Sequence, residues 1–173
     1  GSDSQVATAE SIEEYFGLVA ARSDRVELVD IGPTTDGHRT IAAIVSAPEN
    51  LRNLDQIRSA NQRLADPRRL TGDEARAVIA SHKAVLMIGC SIHASEIGAT
   101  QAANELLYTL ASSTDPEILR VLQDVVVILI PLLNPDGHRR VVSWNQTLKG
   151  TRYEGSPMPW LYHRYAGHDI NRD

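Results

Sequence analysis

Two short, unbroken apolar runs limit the fold of this chain more than any other feature of its sequence. Ala84-Val-Leu-Met-Ile-Gly89 and Val125-Val-Val-Ile-Leu-Ile130 contain no polar residue that would mark a solvent-facing side. Runs of this length without alternation suit parallel strands covered on both faces. The stretch between them reads as helix: Ile97 to Leu110 carries Ala and Leu at helical spacing, and Asp115-Pro116 opens a further short helix. A strand–helix–strand crossover of this kind is right-handed almost without exception, and it sets the class as α/β. In an open α/β sheet, ligands bind just past the carboxyl ends of the strands. Cys90–Glu96 and Asn134–Gly137 fall there, so both loops are expected to face one site.

The remaining elements follow from local signals. Ser11 with Glu14 makes a capping box ahead of Ile12, Tyr15, Phe16 and Val19, which predicts a helix over 11–22. Val26–Ile31 and Thr40–Val45 are rich in β-branched residues, and the Thr35-Asp36-Gly37 turn between them predicts an antiparallel pair. Leu51–Ala65 and Asp73–Ala80 read as helices separated by the breakers Asp66-Pro67 and Gly72. The chain has no repeat, low-complexity tract or like-charge block, so its 173 residues are expected to form one compact unit. Gly1-Ser2 has the form of a cloning remnant, and residues 1–10 are expected to be tag and flexible lead-in.

Charge and cysteine content remove several functions. A net charge of -5 gives no basic field for a phosphate backbone, so nucleic acid is not an expected partner. The longest apolar run, Val125–Leu133, is too short for a bilayer and is interrupted by Pro131, so no membrane insertion is expected. Cys90 is the only cysteine, which excludes an internal disulfide; no neighbour would lower its pKa, and it reads as a small buried residue.

Chemistry concentrates where the strands end. His93-Ala94-Ser95-Glu96 opens a helix directly after the first apolar run, and a spacing of three projects both side chains to the same side. A neutral imidazole with a carboxylate suits zinc, and a hydrolytic site of two His and one Glu keeps a fourth position for water. By itself the spacing also fits a loop histidine followed by a first-turn carboxylate favoured by the helix dipole. Asn134-Pro135-Asp136-Gly137, taken alone, reads as a tight reversal. Asn171-Arg172, taken alone, reads as a surface position with a salt-bridging Arg.

In order along the chain, His-x-x-Glu after a strand, Asn-Pro-Asp-Gly and Asp169-Ile170-Asn171-Arg172 resemble the zinc carboxypeptidase family, with likeness running from about Ser11 to the last residue. Gly32 to Ile44 is similar to the family's opening hairpin. Tyr153-Glu154-Gly155 and Tyr165-Ala166-Gly167-His168-Asp169 are similar to a bacterial branch of large, mostly exported members. The resemblance implies a three-layer α/β/α sandwich around a mixed, mainly parallel sheet, with residues 1–173 forming the N-terminal part of one catalytic domain. It further implies a zinc-dependent hydrolase that cleaves peptide bonds near a free C-terminus, in a secreted or periplasmic setting.

By the same resemblance, His93 and Glu96 are two ligands of a single Zn2+ ion, Asn171 and Arg172 bind the substrate's terminal carboxylate, and Arg152 stabilises the developing oxyanion. The third zinc ligand, a His, and the general-base Glu are expected beyond Asp173. His138, His163 and His168 are expected to have structural or surface roles. Two positions depart from the family pattern: Ser95 stands where many members carry an Arg, and Asp173 follows Arg172 where Asn is usual. The alternatives are a zinc-dependent deacylase of N-acyl amino acids, or a non-catalytic interaction module that self-associates through an open sheet edge.

Overall fold

Residues 5–159 are described by the computed structural model, and their strands make one four-stranded sheet. Strands β1 (Val26–Pro33), β2 (Arg39–Val45), β3 (Ala84–Gly89) and β4 (Val125–Ile130) lie in the order β1-β2-β4-β3. β3 and β4 pair in parallel from Ala84 opposite Val125 to Gly89 opposite Ile130, whereas β1–β2 and β2–β4 are antiparallel. The α/β class and the mixed sheet are those expected. Parallel pairing does not predominate among the described strands, because only one crossover connection lies between them and the hairpin must return antiparallel.

Cross-strand rows explain how the layers form. Leu28, Ala43 and Leu129 stand in one row, and Val26, Val45 and Val127 in the next. These rows pack against Ile12 and Phe16 of α1 (Ala9–Ala20) and Leu107 of α5 (Ile97–Ser112), which are each 0% exposed. Burying each such side chain contributes roughly 1.5–3 kcal/mol. Alternate residues point to the opposite face, where Glu27, Ile44 and Ile128 look toward α2 (Pro48–Arg52) and α3 (Leu54–Ala65). The expected cover on both faces holds for β4 but not for β3, which is an edge among the described residues and leaves Val85, Leu86 and Met87 exposed, Met87 by 67%.

Some element boundaries differ from the sequence reading, each for a local reason. The first helix starts at Ala9, capped by Thr8, whose side chain accepts from the Ser11 N–H. The earlier start brings Ala9 into the core with Ile12 and Phe16, so Thr8 is the cap and Ser11 is not. Leu51–Ala65 is two helices because Asn53 breaks the path at φ -115, ψ 21 and turns its amide back to the Glu49 carbonyl. Gly72 is not a breaker but the first residue of α4 (Gly72–Ser81), set by a capping box between Thr71 and Glu74. Asn134–Gly137 is not a tight reversal: Asn134 caps a new helix, α7 (Pro135–Leu148), with Pro at its first position and Asp136 in its first turn.

Two polar arrangements, one buried and one partly buried, lock this frame. Helix α6 (Pro116–Asp124) runs into β4 with no linker, leaving the carbonyls at the junction short of partners. The Ser46 hydroxyl lies 3.0 and 2.8 Å from the Leu122 and Val125 carbonyls, and the Asn50 amide lies 3.1 and 2.9 Å from those of Leu122 and Gln123. At the other end of the sheet, Asp136 holds the β1–β2 turn. Its carboxylate accepts from the Thr34 hydroxyl at 2.7 Å, the Asp36 backbone N–H at 3.1 Å and the His38 ring at 2.8 Å. Arg140, one turn along α7, donates to Asp36 of the same turn.

Burial acts to raise the Asp136 pKa, but the hydrogen bonds from Thr34, His38 and the Asp36 backbone outweigh it and hold the carboxyl below its ordinary value. A depressed folded-state pKa stabilises the fold above the unfolded value of about 3.9, and that contribution is lost as pH falls through the folded pKa. Asp136→Asn is therefore expected to lower unfolding free energy at neutral pH by about 1–3 kcal/mol. Urea melts at descending pH check this: the gap to wild type should close below about pH 4, and a pH-independent gap would exclude the carboxylate charge as its cause.

Candidate metal centre

The carboxyl ends of β3 and β4 coincide because the strands are parallel and in register, and backbone hydrogen bonding continues past both. Cys90 donates to the Ile130 carbonyl at 2.9 Å, and Leu133 donates to the Cys90 carbonyl at 2.8 Å. The Leu133 side chain lies over Gly89, where an added Cβ would come 2.5 Å from its Cδ1 and would push that exposed side chain aside. Ser91 then turns the chain in the left-handed region at φ 52, a conformation that costs a non-glycine residue roughly 1–2 kcal/mol. A tight turn through Ala94 and Ser95 follows, closed by the Glu96 N–H donating to the His93 carbonyl at 3.0 Å.

This path brings His93 and Glu96 together. His93 Nδ1 lies 3.3 Å from Glu96 Oε1; the imidazole is largely buried and the carboxylate is open to solvent. Donors bonded at 2.0–2.1 Å in tetrahedral geometry are separated by about 3.3 Å, so the pair could span one edge of a zinc tetrahedron, a separation that a His–Glu ion pair also gives. The two residues therefore fit half of a four-coordinate site. No group of three or more His, Cys, Asp or Glu able to hold a metal ion occurs among the described residues.

The Asn-Pro-Asp-Gly segment is the floor beneath this loop. Asn134 accepts from the Gly137 N–H at 2.9 Å through its side-chain oxygen, and its amide donates to the Ile92 carbonyl at 3.3 Å. One side chain thus caps α7 and holds the peptide preceding His93. Ala94, fully buried, sits directly on Gly137: a Cβ there would lie 2.8 Å from the Ala94 Cβ and 2.7 Å from the Asn134 amide nitrogen. Helix capping by Asn before Pro was the available sequence signal; the second bond, to Ile92, spans 42 residues and had none.

Other candidate residues are placed as follows. Arg152 is exposed on the turn after α7, stacked on the Tyr153 ring at 4.6 Å and hydrogen-bonded to its hydroxyl. Asn171 and Arg172 lie outside the described residues, as do His163 and His168. His138 is buried with Nε2 2.8 Å from the Ala7 carbonyl, and burial pushes its pKa down, which fits a structural role. Cys90 is buried and its thiol pKa is pushed up by that burial, so it stays protonated and packs as an apolar residue. Ser95 is exposed beside Glu96.

Gly137→Ala is expected to lower stability by about 1–3 kcal/mol, since backbone and Ala94 must shift to admit the methyl group. Chemical denaturation of the metal-free protein checks this. An unchanged midpoint would mean that the loop yields freely at Ala94.

Comparison with other proteins identifies the setting. No curated protein sequence matches the chain significantly. Solved structures do: carboxypeptidase A from Helicoverpa armigera, at 18% identity and TM-score 0.54, aligns over 77% of this chain and 25% of its own length. The metallo-carboxypeptidase from Burkholderia cenocepacia, at 18% identity and TM-score 0.53, aligns over 78% of this chain and 29% of its own. Thrombin activatable fibrinolysis inhibitor, at 16% identity and TM-score 0.57, aligns over 97% of this chain and 34% of its own. At such identities the likeness establishes the fold, and the chain spans about a quarter to a third of the length of these structures. The sequence profile described as zinc carboxypeptidase matches residues 12–173, and with so much of its length covered the chain belongs to the zinc carboxypeptidase family.

Proposed function

We propose that this chain supplies the His93 and Glu96 ligands of a zinc-dependent carboxypeptidase that hydrolyses peptide bonds beside a free C-terminus. The observation carrying this reading is the 3.3 Å separation of His93 Nδ1 and Glu96 Oε1, at the carboxyl end of parallel strands, in a zinc carboxypeptidase sequence. A bound zinc ion polarises a scissile carbonyl and lowers the pKa of its water. Asn171 and Arg172 are assigned to the terminal carboxylate, which a guanidinium grips through two parallel, charge-assisted hydrogen bonds. Arg152 is assigned to the oxyanion that develops on the scissile carbonyl, which requires it to leave the Tyr153 ring. No helix among the described residues is long and apolar enough to cross a membrane, and export from the cell is the location proposed.

Calorimetric titration with zinc tests the metal assignment. His93→Ala and Glu96→Gln should each weaken binding at least tenfold, because each removes a direct ligand. A variant that binds as tightly as wild type would remove that residue from the site.

Arg172→Ala in the catalytically complete protein tests the substrate assignment. Cleavage of free-carboxylate peptides should slow by roughly ten- to several hundred-fold, at 1.4 kcal/mol per decade, while amidated analogues change little. Equal loss on both would make Arg172 structural and the carboxypeptidase assignment wrong. N-acyl amino acids in the same assay separate peptidase from deacylase.

A further inference from the structure

A buried pair of hydroxyl groups beneath the metal loop has no part in the chemistry described so far. Ser91 is 4% exposed and Thr100, on the first turns of α5, is 0% exposed. The Ser91 Oγ lies 2.8 Å from the Glu96 carbonyl oxygen and 2.5 Å from Thr100 Oγ1. A hydroxyl has one proton. With the Ser91 proton on the Glu96 carbonyl, the Thr100 hydroxyl donates to Ser91, giving a directed chain from helix α5 through the loop to the peptide of Glu96.

The position of that peptide matters. Glu96 caps α5 with φ -88 and ψ 57, outside the helical region, and no side-chain bond fixes its own conformation as a cap. Its N–H is fixed on the His93 carbonyl at 3.0 Å, and its carbonyl, which as the N-cap carbonyl also accepts the first helical bond of α5, is held by Ser91 as well. Both ends of the short loop that carries the two donors are therefore closed, one by a backbone bond and one by the hydroxyl chain. Loss of that hold would free the Glu96 backbone, and with it the placement of the carboxylate relative to the imidazole. The left-handed backbone of Ser91 is what brings its hydroxyl under that carbonyl, and a serine there is otherwise a poor choice beside glycine.

Resting on the assignment of His93 and Glu96 as zinc ligands, we propose that Ser91 and Thr100 are positioning residues of the metal centre: their hydroxyl chain sets the direction from which the Glu96 carboxylate meets the ion. Partners that orient metal ligands typically change metal affinity by 10–100-fold when removed.

Cobalt(II) binding, followed by its visible absorption bands, separates this role from simple packing. Thr100→Val, which keeps the shape and removes the hydroxyl, should bind cobalt roughly tenfold or more weakly and shift the bands, with Thr100→Ser restoring both. Ser91→Gly gives the sharper contrast. It relieves the left-handed backbone while removing two buried hydrogen bonds, so the two effects on the thermal stability of the metal-free protein oppose each other, and cobalt affinity should fall by about tenfold, more than any change in stability accounts for. If affinity merely follows stability across these variants, or if Thr100→Val and Ser91→Gly both match wild type in affinity and spectrum, the positioning role is overturned. His93→Ala serves as the reference. Wild-type affinity in that variant would overturn the metal assignment and this proposal together, whereas a His93-dependent site indifferent to Ser91 and Thr100 overturns the proposal alone.

Discussion

The parallel, in-register pairing of β3 with β4 is the constraint on which the rest of the structure depends. Because both strands run the same way, Gly89 and Ile130 end side by side, and the bonds of Cys90 to Ile130 and Leu133 to Cys90 carry that alignment into the loops. The loop that carries His93 and Glu96 and the cap of α7 therefore emerge as neighbours before any side chain is considered. A slip of one register would part Ala94 from Gly137 and Asn134 from Ile92 together. Against a net native stability of only about 5–15 kcal/mol, that coupling makes the strand pair a determinant of site geometry as much as of folding.

The support around His93 and Glu96 is divided among different physical devices. Steric fit holds Ala94 on Gly137, an amide dipole holds Ile92, and buried hydroxyls hold Glu96. None of these contacts involves a charged side chain, so under the proposed zinc assignment no buried counter-charge would compete with the two donors for the ion. The charged side chains of the first turns of α7 go instead to the hairpin turn, where Asp136 meets Thr34 and Arg140 meets Asp36.

Much of this was legible in the sequence, and what was not has a common cause. Apolar runs gave β3 and β4, the Asp36-Gly37 turn gave the hairpin, and the three-residue spacing gave the His93–Glu96 pair, because each signal lies within a few residues of the structure it specifies. The start of α1 was misplaced since Thr8 and Ser11 are both good caps, and only burial of Ala9 separates them. Asn-Pro-Asp-Gly suits a turn and a helix start alike, and the deciding contacts, Asp136 to Thr34 and Asn134 to Ile92, join segments distant in sequence. The left-handed Ser91 was invisible for another reason: nothing in its side chain demands that conformation, and the surrounding bonds impose it.

The direct passage of α6 into β4 also bears on how this chain can change length. With no linker between Asp124 and Val125, and with Ser46 and Asn50 holding the junction carbonyls, the helix end fixes which face each β4 residue takes. Inserting or deleting one residue at the junction would exchange the inward pair Val127 and Leu129 with their neighbours and displace the start of the following loop. Among the described residues the connection from α3 to α4 shows no such tether, and α3 buries none of its residues. Insertions and deletions among homologous chains should therefore gather between α3 and α4 and be absent between Leu122 and Ile130, a record of geometry kept in sequence length and not in residue identity.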